Sequence, residues 1–449
     1  MGLRAGDTIA AIATPSGVGG VGIIRVSGPA VRQIAEALIG RLPRPRYATL
    51  STFSAADGSP IDQGLALYFP APHSYTGEDV LELHGHGGPV VMDLLLHRCL
   101  EFGARLARPG EFTERAFLNG KLDLTQAEAV ADLIESSTAL AARLAARSLQ
   151  GVFSQHIQAL VEGLIELRVH LEATLDFPDE ELDLADERAQ VADGLSALIA
   201  QLDRLLAEAY EGQRIREGLN VAIAGAPNVG KSSLLNALCG SEAAIVTDIP
   251  GTTRDLLRFD IQIEGLPIHI IDTAGLRHTQ DPVEREGVRR AQEAVQQADL
   301  VLWVYDAARG LDEGVCPSLA PRVPLIRVRN KIDLLGESPG IKAEGEEVEV
   351  ALSVKTGGGL ELLKAQIKHQ VGLSPHPEGA FSARRRHLDA LRRAKGSLLA
   401  ASEHLAAGQS PELVAEELRA AQQSLGEITG KFSSEDLLDR IFASFCIGK

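Results

Sequence analysis

One short glycine-rich stretch, residues 225–232, carries the clearest potential for chemistry in the chain. It follows an apolar run at residues 219–224 and precedes a helical pattern, and its spacing matches GxxxxGK[ST]. Between a strand and a helix, such a loop turns its backbone N–H groups toward phosphate oxygens, and the helix N-terminus adds partial positive charge. Lys231 would lie along the β- and γ-phosphates, and the Ser232 hydroxyl would bind Mg²⁺. This P-loop therefore predicts a nucleotide-binding domain.

Three further stretches follow in the order expected of a nucleotide-dependent switch. Residues 247–255 form a loop rich in turn residues, in which a threonine can complete the Mg²⁺ shell. Residues 268–275 resemble a strand that ends in DxxG, where Asp272 would hold the metal through water and the Gly275 N–H would sense the γ-phosphate. Residues 300–306 form an apolar strand of the kind that a parallel sheet covered on both faces requires.

The tetrapeptide NKID at residues 330–333 determines which base the site would accept. The Asp333 carboxylate can accept hydrogen bonds from guanine N1–H and the 2-amino group, whereas adenine offers neither donor in that arrangement. An unpaired carboxylate would therefore penalise ATP by roughly a few kcal/mol. Four motifs in register predict GTP binding. The predicted GTP-binding residues are Asn228, Val229, Gly230, Lys231, Ser232, Ser233, Thr247, Asp248, Ile249, Pro250, Gly251, Thr252, Thr253, Asp272, Thr273, Ala274, Gly275, Asn330, Lys331, Asp333, Ser353, Val354 and Lys355.

The residue after Gly275 bears on hydrolysis, because Ras-type enzymes carry there a glutamine that orients the attacking water. This chain has Leu276 instead, and a hydrophobic side chain cannot position water. A carboxylate acting through water is chemically adequate, but the residues alone do not choose among the polar groups that follow. These groups are Arg277, His278, Asp281, Glu284 and Glu286.

The elements that must position these motifs divide the chain into three domains. Residues 1–118 have the mixed pattern of an α+β module, and residues 119–217 and 373–449 have the Ala/Leu periodicity of packed helices. A complete nucleotide-binding domain, residues 218–372, lies between the two helical segments. We therefore predict a multidomain α/β protein in which a P-loop domain with a Ras-like parallel sheet is inserted into a helical bundle. Two separate bundles remain the alternative.

Composition narrows the range of partners. At 449 residues the chain is long enough for two or three cores, and its net charge of −17 argues against binding nucleic acid through the whole surface. Any RNA contact would need a local basic patch, for which residues 384–387 are the one dense run, and a solvated basic turn is the alternative. The pair His84 and His86, and the acidic residues 176–187, could hold a metal, but a glycine-rich turn and a solvated acidic turn are the favoured interpretations.

The spacing of the cysteines and the lengths of the apolar runs predict the cellular compartment of the protein. Four scattered cysteines with no CxxC spacing suggest neither a disulfide framework nor a zinc site, so a reducing compartment fits. We find neither an apolar run of signal-peptide type nor an apolar stretch of 18 residues. The expectation is a cytoplasmic protein without a membrane partner.

Several longer motifs resemble the MnmE (TrmE) family of tRNA-modification GTPases, and the resemblance covers nearly the whole chain. A generic GTPase has none of them. They are ATPSGVGGVGIIR at residues 13–25, SYTGED at 74–79, ELHGHGG at 82–88, FLNGKLDL at 117–124 and the ending FCIGK at 445–449.

This resemblance implies an N-terminal folate-binding domain that forms a homodimer, a helical domain and an inserted GTPase domain. It also implies a flavoprotein partner, MnmG (GidA), which together with this chain forms a heterotetramer that acts on tRNA. The joint reaction would add a carboxymethylaminomethyl or aminomethyl group at C5 of the wobble uridine of certain tRNAs. A 5-formyl- or methylene-tetrahydrofolate would supply the one-carbon unit. By motif position the folate contacts would be Arg25, Glu82, Lys121 and Lys449.

The resemblance also implies how hydrolysis proceeds without the glutamine. A K⁺ ion would supply positive charge at the β–γ bridge, and GTPase domains would pair face to face and order each other's loops. Glu284 matches the catalytic glutamate, and Thr253 joins Ser232 on Mg²⁺. The implied K⁺ ligands are Asn228, Thr247, Ile249 and Thr252, the middle two through backbone oxygens. Cys446 is either a thiol at the modification centre or a packed residue.

Two other functions compete with this one. A ribosome-assembly GTPase would share the guanine-nucleotide motifs, but it would lack the CIGK ending at residues 446–449 and the N-terminal glycine-rich signature. A folate-dependent scaffold would use GTP only to regulate assembly. Turnover in K⁺ against Na⁺ would separate this scaffold from a true hydrolase.

Overall fold

The structure, a computed structural model, describes most of the chain. The described residues are 6–176, 184–240, 258–272, 296, 298–310, 323–345, 347–370, 381–432 and 435–448. They form two compact units, of which the first comprises Met1–Ala131, Ser148–Ile199 and Arg393–Lys449, and the second Asp132–Arg147 and Ala200–Arg392. These two units do not test the domain boundaries given above, which stay a prediction.

The described elements are thirteen strands, twelve α-helices and a 3₁₀ helix, Ile332–Leu335. The strands are β1 Thr8–Ile12, β2 Gly19–Ser27, β3 Thr49–Ser54, β4 Pro60–Phe69, β5 Val80–Gly87, β6 Ala104–Leu106, β7 Leu219–Ala224, β8 Arg258–Ile263, β9 Leu266–Asp272, β10 Leu300–Asp306, β11 Leu325–Asn330, β12 Gly340–Glu344 and β13 Glu347–Ala351. The helices are α1 Val31–Ile39, α2 Pro89–Glu101, α3 Glu111–Leu118, α4 Leu124–Glu135, α5 Ala139–Leu149, α6 Val152–Asp176, α7 Leu184–Glu217, α8 Lys231–Gly240, α9 Leu360–Gln370, α10 Arg385–Ala406, α11 Pro411–Thr429 and α12 Glu435–Ala443. In the part of the chain that the structure covers, no helix combines the length and the apolar character needed to cross a membrane.

The first unit is built on a six-stranded sheet of order β3-β4-β5-β2-β1-β6. All neighbours are antiparallel except β1 and β6. Side chains such as Ile34, Leu38 and Leu95 from α1 and α2 are fully buried against one face of this sheet. Burial of each such side chain stabilises the fold by roughly 1.5–3 kcal/mol. The sheet therefore has one apolar face and one face free to carry polar groups.

The helical part of the first unit packs helices that are far apart in sequence. Helix α6 lies against α11, and α3 lies against α12. An apolar cluster includes Leu124 on α4, Phe442 on α12 and Phe445 just after it, and the two phenylalanine rings are 5.5 Å apart between centroids. The C-terminal helix is thus held to the residues that follow the N-terminal module.

The second unit is built on a seven-stranded sheet of order β12-β13-β11-β10-β7-β9-β8. The strands from β13 to β9 are parallel, and the two edge strands are antiparallel. Every residue of β10 is buried, with Leu302 and Val304 in one apolar cluster and Trp303 and Tyr305 in another. This alternation confirms the predicted parallel strand covered on both faces.

The carboxyl ends of the parallel strands collect the polar residues at one edge of this sheet. Asp272 ends β9, Asp306 ends β10 and Asn330 ends β11, while the P-loop follows β7 and Ser353 follows β13. In open α/β sheets this edge is where ligands bind. The fold therefore brings the base-reading motif beside the predicted phosphate loop.

A buried carboxylate holds the chain where it enters and leaves this sheet domain. Asp132 on α4 accepts hydrogen bonds from Arg216 Nε at 2.7 Å, Arg384 Nη2 at 2.7 Å and Ser382 Oγ at 2.6 Å. Arg216 lies just before β7, and Ser382 and Arg384 lie just before α10. A cavity of about 150 Å³ adjoins the cluster. Because both guanidinium groups share one carboxylate, the loss of that carboxylate removes a buried partner from two cations at once.

We expect Asp132→Ala to lower the free energy of unfolding of the second unit by about 3–5 kcal/mol, since it removes one member of a buried ion cluster. Urea denaturation followed by the fluorescence of Trp303, the single tryptophan, measures this loss. The matched control is Asp389→Ala, because Asp389 is exposed and pairs with Arg392 at the surface. That variant should lose at most about 1 kcal/mol. Equal losses in the two variants would contradict the role of Asp132.

Candidate nucleotide site

The P-loop packs so closely on its neighbours that two positions accept only glycine. Gly225 has a φ of 147°, and a Cβ there would lie 2.1 Å from the carbonyl oxygen of Val304. Gly230 has a φ of 101°, and a Cβ there would lie 2.4 Å from Asn330 Nδ2. Positive φ and close backbone approach are the two conditions that glycine meets without strain. The loop is therefore packed tightly between β10 and the end of β11.

The start of α8 carries the groups that suit phosphate and Mg²⁺. Lys231 Nζ donates to the carbonyl oxygens of Gly225 at 2.8 Å and Ala226 at 2.9 Å, so the ammonium group lies over the loop. Ser232 and Ser233 are exposed in the first helical turn. A helix N-terminus beside a lysine ammonium is an anion-binding arrangement.

The buried side chain of Asn330 joins three segments of the site. Its Nδ2 donates to the carbonyl oxygen of Val229 at 2.9 Å, and its Oδ1 accepts from the backbone N–H of Lys331 at 2.8 Å and of Val354 at 3.1 Å. Asn330 is 2% exposed, so these bonds are shielded from water. One amide thus ties the P-loop to both base-reading loops.

A second bridge runs from the base-reading loop to the P-loop through Lys331. Its Nζ donates to the carbonyl oxygen of Asn228 at 2.8 Å and to Asp306 Oδ2 at 2.9 Å. The hydrogen bond from Lys331 lowers the pKa of Asp306 below its usual range, with a further contribution from the N–H of Ala308. We did not predict Asp306 as a site residue from the sequence. The available signal was an acidic residue at the end of an apolar parallel strand.

The guanine-reading carboxylate is oriented by a neighbouring hydroxyl. Ser353 is buried, and its Oγ donates to Asp333 Oδ1 at 2.6 Å. The same Oγ accepts from the backbone N–H of Thr356 at 3.3 Å, while Lys355 is exposed beside it. This hydrogen bond restrains the position of the Asp333 carboxylate.

A second cluster of charged and aromatic groups lies in the first unit. Arg25 and Glu82 face each other across β2 and β5, with Arg25 Nε 2.9 Å from Glu82 Oε1. His84 Nε2 lies 3.2 Å from the other oxygen, Glu82 Oε2. The Arg25 guanidinium carbon lies 5.6 Å from the centroid of the Tyr75 ring and 5.7 Å from that of Phe112. Because Phe112 is fully buried, this arrangement offers a cation, a carboxylate and the ring of Tyr75 to a planar polar ligand.

The C-terminal residues reach this cluster. Arg25 Nη1 donates to the carbonyl oxygen of Gly448 at 3.1 Å, and a Cβ at Gly448 would lie 2.6 Å from Ile12 O. The carbonyl oxygen of Cys446 accepts from the N–H of Gly110 at 3.4 Å, and Cys446 is exposed. Lys121, also exposed, donates through Nζ to the carbonyl oxygen of Pro72 at 3.0 Å.

Comparison with known proteins decides the family. Residues 124–446 match the model described as MnmE helical domain, and residues 8–121 match that of the GTP-binding protein TrmE N-terminus. The chain is 58% identical over 444 residues to the tRNA modification GTPase MnmE of Methylococcus capsulatus, with 99% of each chain covered. It is 56% identical over 458 residues to the same-named protein of Stutzerimonas stutzeri, with 100% of each covered. The chain belongs to the MnmE family.

Among solved structures, the chain is similar to a variant of Aquifex aeolicus Era bound to GDP and AlF₄⁻, at 26% identity over 40% of this chain and 67% of that one. The TM-score of this likeness is 0.27. The MnmE-family assignment confirms the resemblance and the predicted fold class. The roles of individual site residues stay predictions.

Several predicted residues fall outside the described part of the chain. They are Thr247, Asp248, Ile249, Pro250, Gly251, Thr252, Thr253, Thr273, Ala274, Gly275, Glu284 and Lys449. Asp272 is described as the last residue of β9.

The basic run at residues 384–387 has structural bonds at both ends. Arg384 binds Asp132, and His387 is buried and accepts through Nδ1 from the N–H of Arg384. The structure thus reduces the support for an RNA-binding patch there.

We expect Gly225→Ala to weaken GDP binding by about 100-fold, because moving the loop away from Val304 costs on the order of 3 kcal/mol of strain. Titration with a fluorescent GDP analogue measures the affinity, and circular dichroism checks that the variant folds. Gly240→Ala is the matched control, since none of the described residues has another group within 4 Å of a Cβ at that position. Unchanged binding by Gly225→Ala would argue against the loop as the phosphate site.

Proposed function

We propose that this chain is a GTPase that takes part in tRNA modification. The observation that carries the proposal is the junction at Asn330, where one buried amide ties the P-loop to the loop that presents Asp333. Such a junction suits a ligand with a phosphate group at one end and a guanine base at the other. Full-length relatives named tRNA modification GTPase MnmE support the cellular role.

The proposed fit of GTP depends on side chains that are held in position by other residues of the chain. Asp333, held by Ser353, would accept two hydrogen bonds from guanine, and an adenine base would leave its carboxylate unpaired. Lys231 would exchange the loop carbonyls for the β- and γ-phosphates. Ser232 and Thr253 would supply hydroxyl oxygens of the kind that Mg²⁺ prefers, and the bound ion would neutralise developing phosphate charge.

We propose that hydrolysis is K⁺-activated and needs paired GTPase domains. Asn228 supports this, because it is exposed on the P-loop and has a left-handed backbone with a φ of 64°. The oxygens of Asn228, Thr247, Ile249 and Thr252 would hold K⁺, which supplies positive charge where the β–γ bridge gains negative charge. Glu284 would orient the attacking water indirectly, in place of the missing glutamine.

We further propose that the first unit binds 5-formyl- or methylene-tetrahydrofolate through Arg25, Glu82, Lys121 and Lys449. The partly buried ring of Tyr75 near Arg25 supports this, since a pterin is flat and carries both donors and acceptors. Cys446 is retained as a candidate thiol of the modification centre because it is exposed close to Gly448, which contacts Arg25.

The proposed partners are a second copy of this chain, the flavoprotein MnmG (GidA) in a heterotetramer, and tRNA, all in the cytoplasm. Exposed apolar side chains support a homodimer through the N-terminal module: Leu50 on β3 and Leu65 on β4 are paired in register and are 64% and 40% exposed. The joint product would be a carboxymethylaminomethyl or aminomethyl group at C5 of the wobble uridine.

Asp333→Asn should shift base choice from guanine to xanthine, because an amide can donate to the O2 of xanthine where the carboxylate accepted from the amino group. We expect GDP affinity to fall by about 100-fold and XDP affinity to rise above it, as measured by competition titration. Asp299→Asn, at the other end of β10, should leave both affinities unchanged. Retained guanine preference in Asp333→Asn would count against the base-reading role.

The proposed function predicts that cells lacking this protein lose the modified wobble uridine, which nucleoside mass spectrometry of tRNA detects. The wild-type chain should restore the modification, whereas Glu284→Ala, which should bind GTP without hydrolysing it, should not. Purified wild type should hydrolyse GTP at least about 10-fold faster in K⁺ than in Na⁺. Normal wobble uridine in the deleted strain would refute the proposal.

A further inference from the structure

We propose that Asp306 is a positioning residue for nucleotide binding. It holds the Lys331 ammonium against the backbone carbonyl of Asn228 and so keeps the P-loop in its phosphate-binding shape. This inference rests on the proposed function, since it concerns the same site. It assigns a role to a carboxylate that is not among the residues predicted to bind the nucleotide.

Asp306 is fixed by its own turn before it meets Lys331. It is the last residue of β10 and is 7% exposed. Its Oδ1 accepts from the N–H of Ala308 at 3.0 Å, and its backbone carbonyl accepts from the N–H of Arg309 at 3.0 Å and of Gly310 at 3.1 Å. Because the strand and the turn both restrain it, Oδ2 is presented at a fixed point for the Lys331 ammonium.

The two residues that Asp306 links, Lys331 directly and Asn228 through Lys331, have unusual backbone conformations. Asn228 has a φ of 64° and Lys331 a φ of 69°, both in the left-handed region. Residues other than glycine keep such conformations when the surrounding structure holds them. The long, flexible side chain of Lys331 loses considerable entropy when it is fixed. A charge-assisted bond to Asp306 offsets that loss.

The peptide geometry explains why this bridge matters for phosphate. A trans peptide points its C=O and the following N–H in opposite directions. When Lys331 holds the carbonyl of Asn228 toward itself, the N–H of Val229 must point in the opposite direction within the same peptide plane. The loop's N–H groups are the proposed phosphate donors. Asp306 therefore acts on phosphate binding through Lys331 and one peptide group.

A double-mutant cycle separates this role from simple capping of the turn. The variants are Asp306→Asn, Lys331→Met and the two combined, with Asp299→Asn as the matched control at the opposite end of β10. In Asp306→Asn the amide oxygen can still accept from Ala308 N–H, while its NH₂ faces the ammonium. Affinity for a fluorescent GDP analogue and the melting temperature are measured for each.

We expect Asp306→Asn to weaken GDP binding by about 10- to 100-fold, as loss of a charged hydrogen bond does, with the preference for guanine over xanthine unchanged. In the Lys331→Met background the same substitution should change affinity less than about 2-fold, because its route to the P-loop is gone. Asp299→Asn should bind as the wild type does.

The inference would be overturned if Asp306→Asn binds GDP with wild-type affinity. It would also be overturned if the affinity losses of the two single variants multiply in the double variant. If Asp306→Asn does not fold, the cycle is run with Asp306→Ser, whose hydroxyl can still cap the turn. Unfolding of both variants while Lys331→Met folds would also overturn it, since the carboxylate would then act other than through Lys331. A wild type that does not bind GDP would instead refute the proposed function.

Discussion

The buried amide of Asn330 is the interaction on which the geometry of the nucleotide site depends. It satisfies two backbone N–H groups and one backbone carbonyl from three separate segments. A side chain that lacked either the donor or the acceptor would leave a buried polar group unpaired, which costs about 1–3 kcal/mol. An aspartate of the same size could not donate to Val229, so the requirement is for an amide. The same bond set explains why Gly230 can carry no side chain, since Asn330 occupies that space.

Buried charge recurs in this protein at several places where distant segments are joined. In the first unit, Arg115 is 4% exposed and pairs with Asp7 at 2.6 Å, Glu78 at 3.0 Å and Glu111 at 3.3 Å. Burial raises the pKa of the nearby Glu114 carboxyl, with Arg108 opposing the shift. Removing each of these ions from water costs free energy, and that cost is offset by ion pairs and hydrogen bonds to direct partners. Their value lies in selecting one arrangement of segments, because a misplaced segment would leave a buried charge unpaired.

The two sites differ in how they are prepared for a ligand. At the P-loop, the positive group Lys231 is held by backbone carbonyls that a phosphate would replace, so binding exchanges one set of partners for another. At the Arg25 cluster, the guanidinium is already paired with Glu82 and with the carbonyl of Gly448. A ligand there would have to share these partners. The C-terminal residues are consequently part of that cluster's structure.

The motifs predicted the chemistry proposed for this protein, because their spacing along one strand, loop and helix specifies local backbone shape. The P-loop, the NKID tetrapeptide, the apolar β10 strand and the family motifs were all predictable from residue types. Tertiary structure alone decided which distant residues meet. Lys331 contacts Asn228 across 103 positions, Arg25 meets Gly448 across 423, and Arg384 meets Asp132 across 252. The physical reason is that strand order and register are set by burial of the whole core, so no local pattern records which carboxylate will face which cation.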